Sequence, residues 1–162
     1  MPPSDGLDNI DRKILELLQA DARITNADIA RQIGIVPSAT LDRIRKLEER
    51  RVVRGYEARL DPKALGLGLT AFVFVRATER PGEKATGERL AELPEVQEVH
   101  HVAGEDCYLV KVRGADAEAL GAMLRERIGT IGSVTATRTT IVLGTVKETI
   151  ALPMPSAGGA GR

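Results

Sequence analysis

The sequence predicts an α+β fold in which three N-terminal helices precede a β-α-β-β-α-β domain. Apolar residues recur at helical spacings of three and four up to residue 50, and from Leu69 the period changes to that of strands. Asp61-Pro62 lies between the two patterns and marks a linker. The predicted boundaries are 1–54 for the helical domain, 55–67 for a linker strand or hinge, 68–150 for the second domain, and 151–162 for an aperiodic, disordered tail.

The first two helices are bounded by clear capping residues. Asp8 is the predicted N-cap of the first helix, with Asp11 as a carboxylate variant of the capping box. The second helix opens at Thr25 and stops at Gly34, a residue suited to a left-handed C-terminal cap. Only two residues then precede the third helix, and such a tight turn is typical of a (winged) helix-turn-helix. Val52 and Val53 open an extended segment suited to a wing or exit strand.

The third helix is predicted over residues 37–50, with Pro37 in its first turn. Thr40, Ile44 and Leu47 recur at spacings of four and three and form one buried stripe. Between residues 43 and 59 lie seven basic and three acidic residues, in a chain whose net charge is zero. Such a helix suits the major groove of DNA. The alternative is an ordinary solvated amphipathic helix.

Candidate DNA contacts follow from the angular position of each residue on this helix. Those nearest its N-terminus suit base edges, and the basic residues suit phosphates. Arg43 lies at the margin of the buried stripe, so a structural ion pair is at least as good an interpretation for it. The predicted contacts are Ser38, Ala39, Asp42, Arg45, Lys46, Arg50, Arg51 and Arg54.

Composition narrows the classes of function. The four aromatic residues, Tyr56, Phe72, Phe74 and Tyr108, are too few for a site that stacks single-stranded nucleic acid. Cys107 is the one cysteine, which fits a reducing cytosol. No apolar run is long enough for a bilayer, and the first residues lack a signal-peptide pattern. A cytoplasmic protein is therefore expected.

The second domain follows the split βαβ, or ferredoxin-like, order. Its predicted elements are a strand over 69–75, a turn at Pro81-Gly82, a helix ended by Pro94, a strand over 96–102, an acidic loop over 103–106, a strand over 107–112, a helix capped by Asp116 and a strand over 134–146.

The first strand predicts an assembly. Ala71, Val73 and Val75 point to one face, while Phe72 and Phe74 point to the other, so both faces of the sheet need cover. Because both helices of this motif lie on one face, a second copy is expected on the other, giving a two-fold dimer packed sheet on sheet. The alternative is cover by the chain's own linker or first domain.

Three stretches, in order, carry a family resemblance. They are LDNIDRKIL at 7–15, the segment 33–56 with RIRKLE at 43–48 and RGY at 54–56, and the segment 99–111 around VAGE at 102–105. With them the chain resembles the leucine-responsive regulatory protein/AsnC (Lrp/AsnC, feast/famine) family over residues up to about 148. The resemblance implies a bacterial or archaeal, nucleoid-associated transcription regulator rather than an enzyme. It implies double-stranded DNA as a partner, dimers that assemble into tetramers or octamers, and no cofactor except a small-molecule effector, typically an amino acid.

The resemblance places the effector between dimers, near the Gly104 loop. Backbone N–H groups there suit a carboxylate, and Glu105 or Asp106 suits an α-ammonium. The alternative is an ordinary hairpin loop and an exposed strand face. The predicted effector residues are Ala103, Gly104, Glu105, Asp106, Cys107, Thr137, Thr139 and Thr140.

Four residues depart from the family pattern. Val36 replaces a capping Ser, Asp42 replaces a basic or small polar residue, Arg51 replaces a turn Gly, and Cys107 replaces an Asp. These departures leave open an alternative, a metabolite-binding oligomeric module with weak or lost DNA binding.

Two further alternatives involve His100, His101, Asp106 and Cys107. A metal or enzyme site is disfavoured because adjacent strand residues point to opposite faces, so the two histidines do not share one metal. Cys107 as a redox sensor needs a thiol from a partner.

Overall fold

The chain forms two compact units in the computed structural model, which describes residues 6–79 and 84–154. One unit runs to Arg59 and also takes in the residues from Thr149 onward, and the other is Leu60–Glu148. None of the helices in these residues combines the length and apolar character that a bilayer crossing requires.

The first unit contains three helices, α1 (Asn9–Ala20), α2 (Asn26–Ile33) and α3 (Pro37–Glu49). The predicted capping box is confirmed, since the Asp8 side chain accepts from the Asp11 N–H at 2.8 Å and Asp11 accepts from the Asp8 N–H at 3.3 Å. Gly34 ends α2 with φ +76°, as its cap position predicts. The helices enclose a small core of five buried residues, Ile14, Leu15, Ile29, Ile44 and Leu47.

The segment after α3 joins no β-sheet among the described residues. The N–H groups of Val52 and Val53 both donate to the Leu47 carbonyl, at 2.9 and 3.1 Å, and their side chains pack on the helical core. The residues expected to open a wing or exit strand therefore close the third helix instead.

The second unit is a four-stranded antiparallel sheet with two helices. Its strands are β1 (Leu69–Ala77), β2 (Val96–His101), β3 (Tyr108–Gly114) and β4 (Val134–Ile141), in the spatial order β2-β3-β1-β4. Its helices are α4 (Ala85–Ala91) and α5 (Ala117–Glu126), and a 3₁₀ turn, Ile128–Thr130, follows α5. The α+β, ferredoxin-like order is confirmed. The predicted turn at Pro81-Gly82 lies outside the described residues.

Strand β4 ends at Ile141, before the predicted end at Val146. Its one partner among the described strands is β1, and the pairing stops where Ile141 meets Ala71, close to the first residue of β1. Beyond this point Leu143 and Val146 are fully exposed. A β-rich sequence without a partner strand does not extend the sheet.

The two faces of β1 differ as predicted. Ala71, Val73 and Val75 are fully buried in a core with Leu90 of α4 and with Leu120 and Met123 of α5, in the larger hydrophobic cluster of this unit. Phe72 and Phe74 are half-buried on the opposite face, which we call the open face of the sheet.

The tail predicted to be disordered begins at residue 151. Its first four residues are described, and Leu152 is hydrogen-bonded to Gln19. The rest of the predicted tail lies outside the described residues.

Candidate DNA-binding helix and effector loop

Helix α3 presents its predicted polar residues to solvent. Thr40, Ile44 and Leu47 are buried, so the predicted stripe is confirmed, and the opposite face of the helix is exposed. Ala39 is half-buried beside this stripe. The other predicted contacts are all exposed: Ser38, Asp42, Arg45, Lys46, Arg50, Arg51 and Arg54.

Arg43 braces α3 against the start of α1. Its Nη1 lies 2.7 Å from a carboxylate oxygen of Asp8 and 2.7 Å from one of Asp11. These bonds, to Asp11 first and then to Asp8, raise the pKa of Arg43. The pKa of Asp8 is lowered, first by the Asp11 N–H and then by Arg43. Arg43 therefore forms the structural ion pair that its position at the margin of the buried stripe predicts.

Val36 occupies the N-cap of α3 without capping it. Its backbone is extended, with φ −77° and ψ 147°, and no side chain accepts a hydrogen bond from the first turn. The Val36 side chain is 62% exposed, so its packing does little to offset the missing capping hydrogen bond. Ser38 does not supply the missing cap.

Arg51 lies in the left-handed region, with φ +55°, the only non-glycine residue with positive φ among the described residues. Its N–H donates to the Glu48 carbonyl at 2.9 Å, which closes the turn after α3. This conformation costs an L-residue about 1–2 kcal/mol. The position that the family pattern gives to Gly is therefore one where Arg is strained.

Two clefts flank α3, and Tyr56 lines both of them. The Tyr56 hydroxyl donates to Glu48 at 2.9 Å, and burial, followed by the Glu48 carboxylate, raises the pKa of Tyr56 to about 12. One cleft, of about 290 Å³, is lined by Leu18, Ala22, Ile24, Asn26, Leu41, Ile44, Arg45, Glu48 and Tyr56. The other, of about 510 Å³, is lined by Glu48, Arg51, Val53, Arg54, Gly55 and Tyr56. The contact of Tyr56 with Glu48 was not predicted, because no periodicity of α3 continues to residue 56.

The predicted effector loop joins β2 to β3. The Val102 N–H donates to the Cys107 carbonyl at 2.9 Å and closes the hairpin, and Gly104 at its tip has φ +142°. That φ favours glycine, so the loop needs Gly104 for its backbone. Ala103, Gly104 and Glu105 are exposed at the tip.

Two arginines form hydrogen bonds and ion pairs with the acidic residues of this loop. Arg76 donates to the Glu105 carbonyl and carboxylate, both at 3.2 Å, and Arg138 donates to Asp106 at 3.1 Å. The Arg138 guanidinium also lies 4.0 Å from the centre of the Phe74 ring, which makes a cation–π contact. Sequence reasoning missed both arginines. Arg76 lies two residues from Phe74, so strand alternation places it on the same face of β1. The position of Arg138 depends on the register of β4 against β1, which the sequence does not show.

The three predicted threonines do not share one face of β4. Thr137 and Thr139 pair with Val75 and Val73, whereas Thr140 pairs with Phe72 on the open face. Because alternate residues of a strand point to opposite faces, one copy does not bring all three hydroxyls to one ligand. The three threonines stay predicted effector residues, with Thr137 and Thr139 on one face of β4 and Thr140 on the other.

The rival metal interpretation gains no support. In residues 6–79 and 84–154, no group of three or more His, Cys, Asp or Glu side chains is placed to hold a metal. His100 pairs with Glu98 at 3.1 Å, and the His101 ring lies 5.2 Å from that of Tyr108. Cys107 is half-buried and donates to the Ala77 carbonyl at 3.3 Å.

Comparison with protein families divides the chain in the same order. The model for a winged helix-turn-helix DNA-binding domain matches residues 7–54. The model for the Lrp/AsnC ligand binding domain matches residues 70–152.

Relatives match along almost the whole chain. The HTH-type transcriptional regulator LrpA of Mycobacterium tuberculosis is 41% identical over 142 residues, covering 88% of this chain and 93% of the relative. A feast or famine regulatory protein from M. tuberculosis, solved with L-methionine, has 40% identity and a TM-score of 0.85, covering 92% of this chain and 99% of that one. A transcriptional regulator from Neisseria meningitidis, also solved with L-methionine, has 31% identity and a TM-score of 0.83. The match covers 91% of this chain and 96% of that one.

Proposed function

The chain belongs to the Lrp/AsnC family of DNA-binding transcriptional regulators, and we propose that α3 reads the DNA while an amino acid bound to the second domain adjusts assembly or DNA affinity. The observation that carries this proposal is the exposed basic face of α3 above a fully buried stripe. The N-terminal turn of such a helix meets base edges, and basic residues near its end meet phosphates.

The proposal divides the DNA contacts by chemistry. Ser38, Ala39 and Asp42 face base edges, where the Asp42 carboxylate accepts a hydrogen bond from a cytosine amino group. The cationic residues bind phosphates, which gives affinity for all sequences and a dependence on salt. These phosphate-binding residues are Arg45, Lys46, Arg50, Arg51 and Arg54.

The proposed effector is an amino acid or a related small metabolite at the loop over 103–107. Support comes from L-methionine in two related structures and from the match to the ligand-binding domain model. Asp106 is only 18% exposed and is paired with Arg138, so it is a poor partner for an incoming ammonium. Glu105 is 91% exposed, and its pair with Arg76 is a surface pair of little strength, so an α-ammonium displaces it readily.

The proposed assembly is a dimer through the open face of the sheet, which then forms tetramers or octamers. Half-buried aromatic side chains on that face support this proposal. The protein is proposed to act in the cytoplasm, on the nucleoid.

The test compares Arg45→Ala and Asp42→Ala in binding to random duplex DNA and in selection of preferred sequences. Arg45→Ala is expected to weaken binding to every duplex and to reduce the slope of log affinity against log salt by about one. Asp42→Ala is expected to change the selected sequence without that loss. Arg125→Ala, an exposed arginine of the second domain, is the matched control.

The same binding assay is repeated with each L-amino acid, after a thermal-shift screen of the set. An amino acid that raises the melting temperature and changes DNA affinity supports the effector proposal. Equal effects of the two α3 substitutions contradict the division of contacts. Failure to bind duplexes at low salt instead favours the metabolite-binding module, for which the uncapped Val36 is the specific observation.

A further inference from the structure

Residues after β4 return to the DNA-binding unit. The described residues from 149 to 154 group with the three helices, although the sequence before them belongs to the sheet unit. The chain therefore passes between its two units at two places, between Arg59 and Leu60 and between Glu148 and Thr149.

The side-chain amide of Gln19, on α1, binds the backbone of this segment. The Leu152 N–H donates to Gln19 Oε1 at 2.6 Å, and Gln19 Nε2 donates to the Leu152 carbonyl at 3.1 Å. Both backbone polar groups of Leu152 are thereby paired, as they would be by a neighbouring strand. Because both bonds are made by backbone atoms, they do not depend on the side chain at position 152.

Met154 supplies an apolar anchor two residues further along. It is half-buried and packs against the core of the three helices. Methionine suits an irregular surface gap because its side chain is unbranched and flexible. The Ile150 and Leu152 side chains, by contrast, are 76% and 72% exposed, so the contacts of this segment with the helices lie at the Leu152 backbone and at Met154.

We infer that residues 149–154 are a docking segment, and that α1 carries its binding site. The occupant is the chain's own segment, held through Gln19 and Met154. Docking gives the DNA-binding unit a second tether to the rest of the chain, in addition to the linker. This inference does not depend on the DNA contacts or on the effector.

The test is hydrogen exchange of the last turn of α1, followed by mass spectrometry. A chain ending at Glu148 and a full-length Gln19→Ala variant are each expected to exchange there about tenfold faster, the effect of one net hydrogen bond. A chain ending at Met154 keeps the docking segment and is the control for truncation. Glu16→Ala, an exposed position on the same helix, is the control for substitution.

A double-mutant cycle separates docking from any change in helix propensity. In the chain ending at Glu148, Gln19→Ala is expected to add no further acceleration, because its partner is already absent. Equal acceleration by Gln19→Ala in both backgrounds overturns the inference, as does unchanged exchange in the chain ending at Glu148. If that chain does not fold, unchanged exchange in full-length Gln19→Ala overturns it.

Mixing two chains identifies the source of the segment. The chain ending at Glu148 is refolded together with full-length Gln19→Ala, whose α1 peptide differs in mass. Continued fast exchange in the peptide that contains Gln19 supports docking within one chain. Restored protection of that peptide shows docking from another copy and overturns the assignment to the chain's own segment.

Discussion

Arg51 combines backbone strain with a proposed phosphate contact. Because Gly adopts φ +55° without the cost that Arg bears, Arg51→Gly is expected to raise the free energy of unfolding by about 0.5–1 kcal/mol, after allowance for the greater unfolded-state freedom of Gly. The same substitution is expected to weaken binding to all duplexes and to lower the salt slope by about one. Urea denaturation and DNA titrations at several salt concentrations measure the two effects.

Arg51→Ala is the control, because it removes the charge but keeps the strain. It is expected to weaken DNA binding as Arg51→Gly does, without the gain in stability. Unchanged DNA binding in both variants would remove Arg51 from the phosphate contacts, and an absent gain with Gly would show that the turn relaxes the strain in another way.

Val36 leaves the first turn of α3 without a side-chain cap. Val36→Ser is expected to raise the free energy of unfolding by about 1 kcal/mol, because its hydroxyl can accept from a free N–H of that turn. Val36→Ala lacks the hydroxyl and is the control. Thermal denaturation compares the three proteins. A gain shared by Ser and Ala would assign the effect to loss of the valine side chain rather than to capping.

At the level of single residues, the sequence predicts what depends on near neighbours in the chain. The capping box at Asp8 and Asp11, the Gly34 cap and the marginal position of Arg43 all follow from spacings within one or two helices. The pairing of Arg138 with Asp106 does not, because it depends on the register of β4 against β1. Because register is set by the whole sheet, the ion pair between Arg138 and Asp106 is seen only in the structure.

The brace between α1 and α3 makes the helical unit sensitive to acid. The Asp11 N–H first, and Arg43 second, hold the folded-state pKa of Asp8 below its ordinary value of 3.8, so these two bonds stabilise the fold above about pH 4. This contribution is expected to disappear as pH falls through the lowered pKa. The raised pKa of Arg43 has no effect in this range, since the guanidinium stays charged.

Arg43→Gln is expected to lower the free energy of unfolding at pH 7 by about 1–2 kcal/mol, because it leaves Asp11, only 8% exposed, with a weaker partner. Its loss of stability between pH 5 and pH 3 should be smaller than that of the unmodified chain. Urea denaturation at both pH values, with Arg23→Gln as an exposed control, measures the difference. Parallel losses in the two proteins would place the acid sensitivity elsewhere.

At the level of elements, the predictions are confirmed where a segment packs against residues close to it in the sequence. The helices and the hairpin between β2 and β3 follow from local periodicity. The early end of β4 and the placement of Leu152 do not follow, because each depends on contacts distant in sequence. The low-complexity sequence after residue 150 has only a weak local preference for helix or strand. Its contact with Gln19 does not follow from its composition.

At the scale of the whole molecule, the open face of the sheet combines aromatic side chains with paired charges. Lys111 is 12% exposed and bonds to Glu98 at 3.1 Å and also to Glu148. Arg113 is 15% exposed and lies 3.3 Å from Glu148. Charges already paired within one chain cost less to bury than free charges. This face is therefore suited to cover by a second copy.

Phe72→Lys tests this proposed dimer. The added ammonium lies opposite Lys111 across β1 and β3, and it would be buried without a partner in a sheet-on-sheet dimer. We expect the dissociation constant of the dimer to rise at least about a hundredfold, corresponding to about 2.7 kcal/mol, in sedimentation equilibrium at micromolar concentration. Ala119→Lys adds the same charge at an exposed position on α5 and should leave the dimer unchanged. Circular dichroism confirms that both variants are folded. A folded Phe72→Lys protein that dimerises as tightly as the Ala119→Lys control would show that the chain's own linker or first domain, rather than a second copy, covers this face.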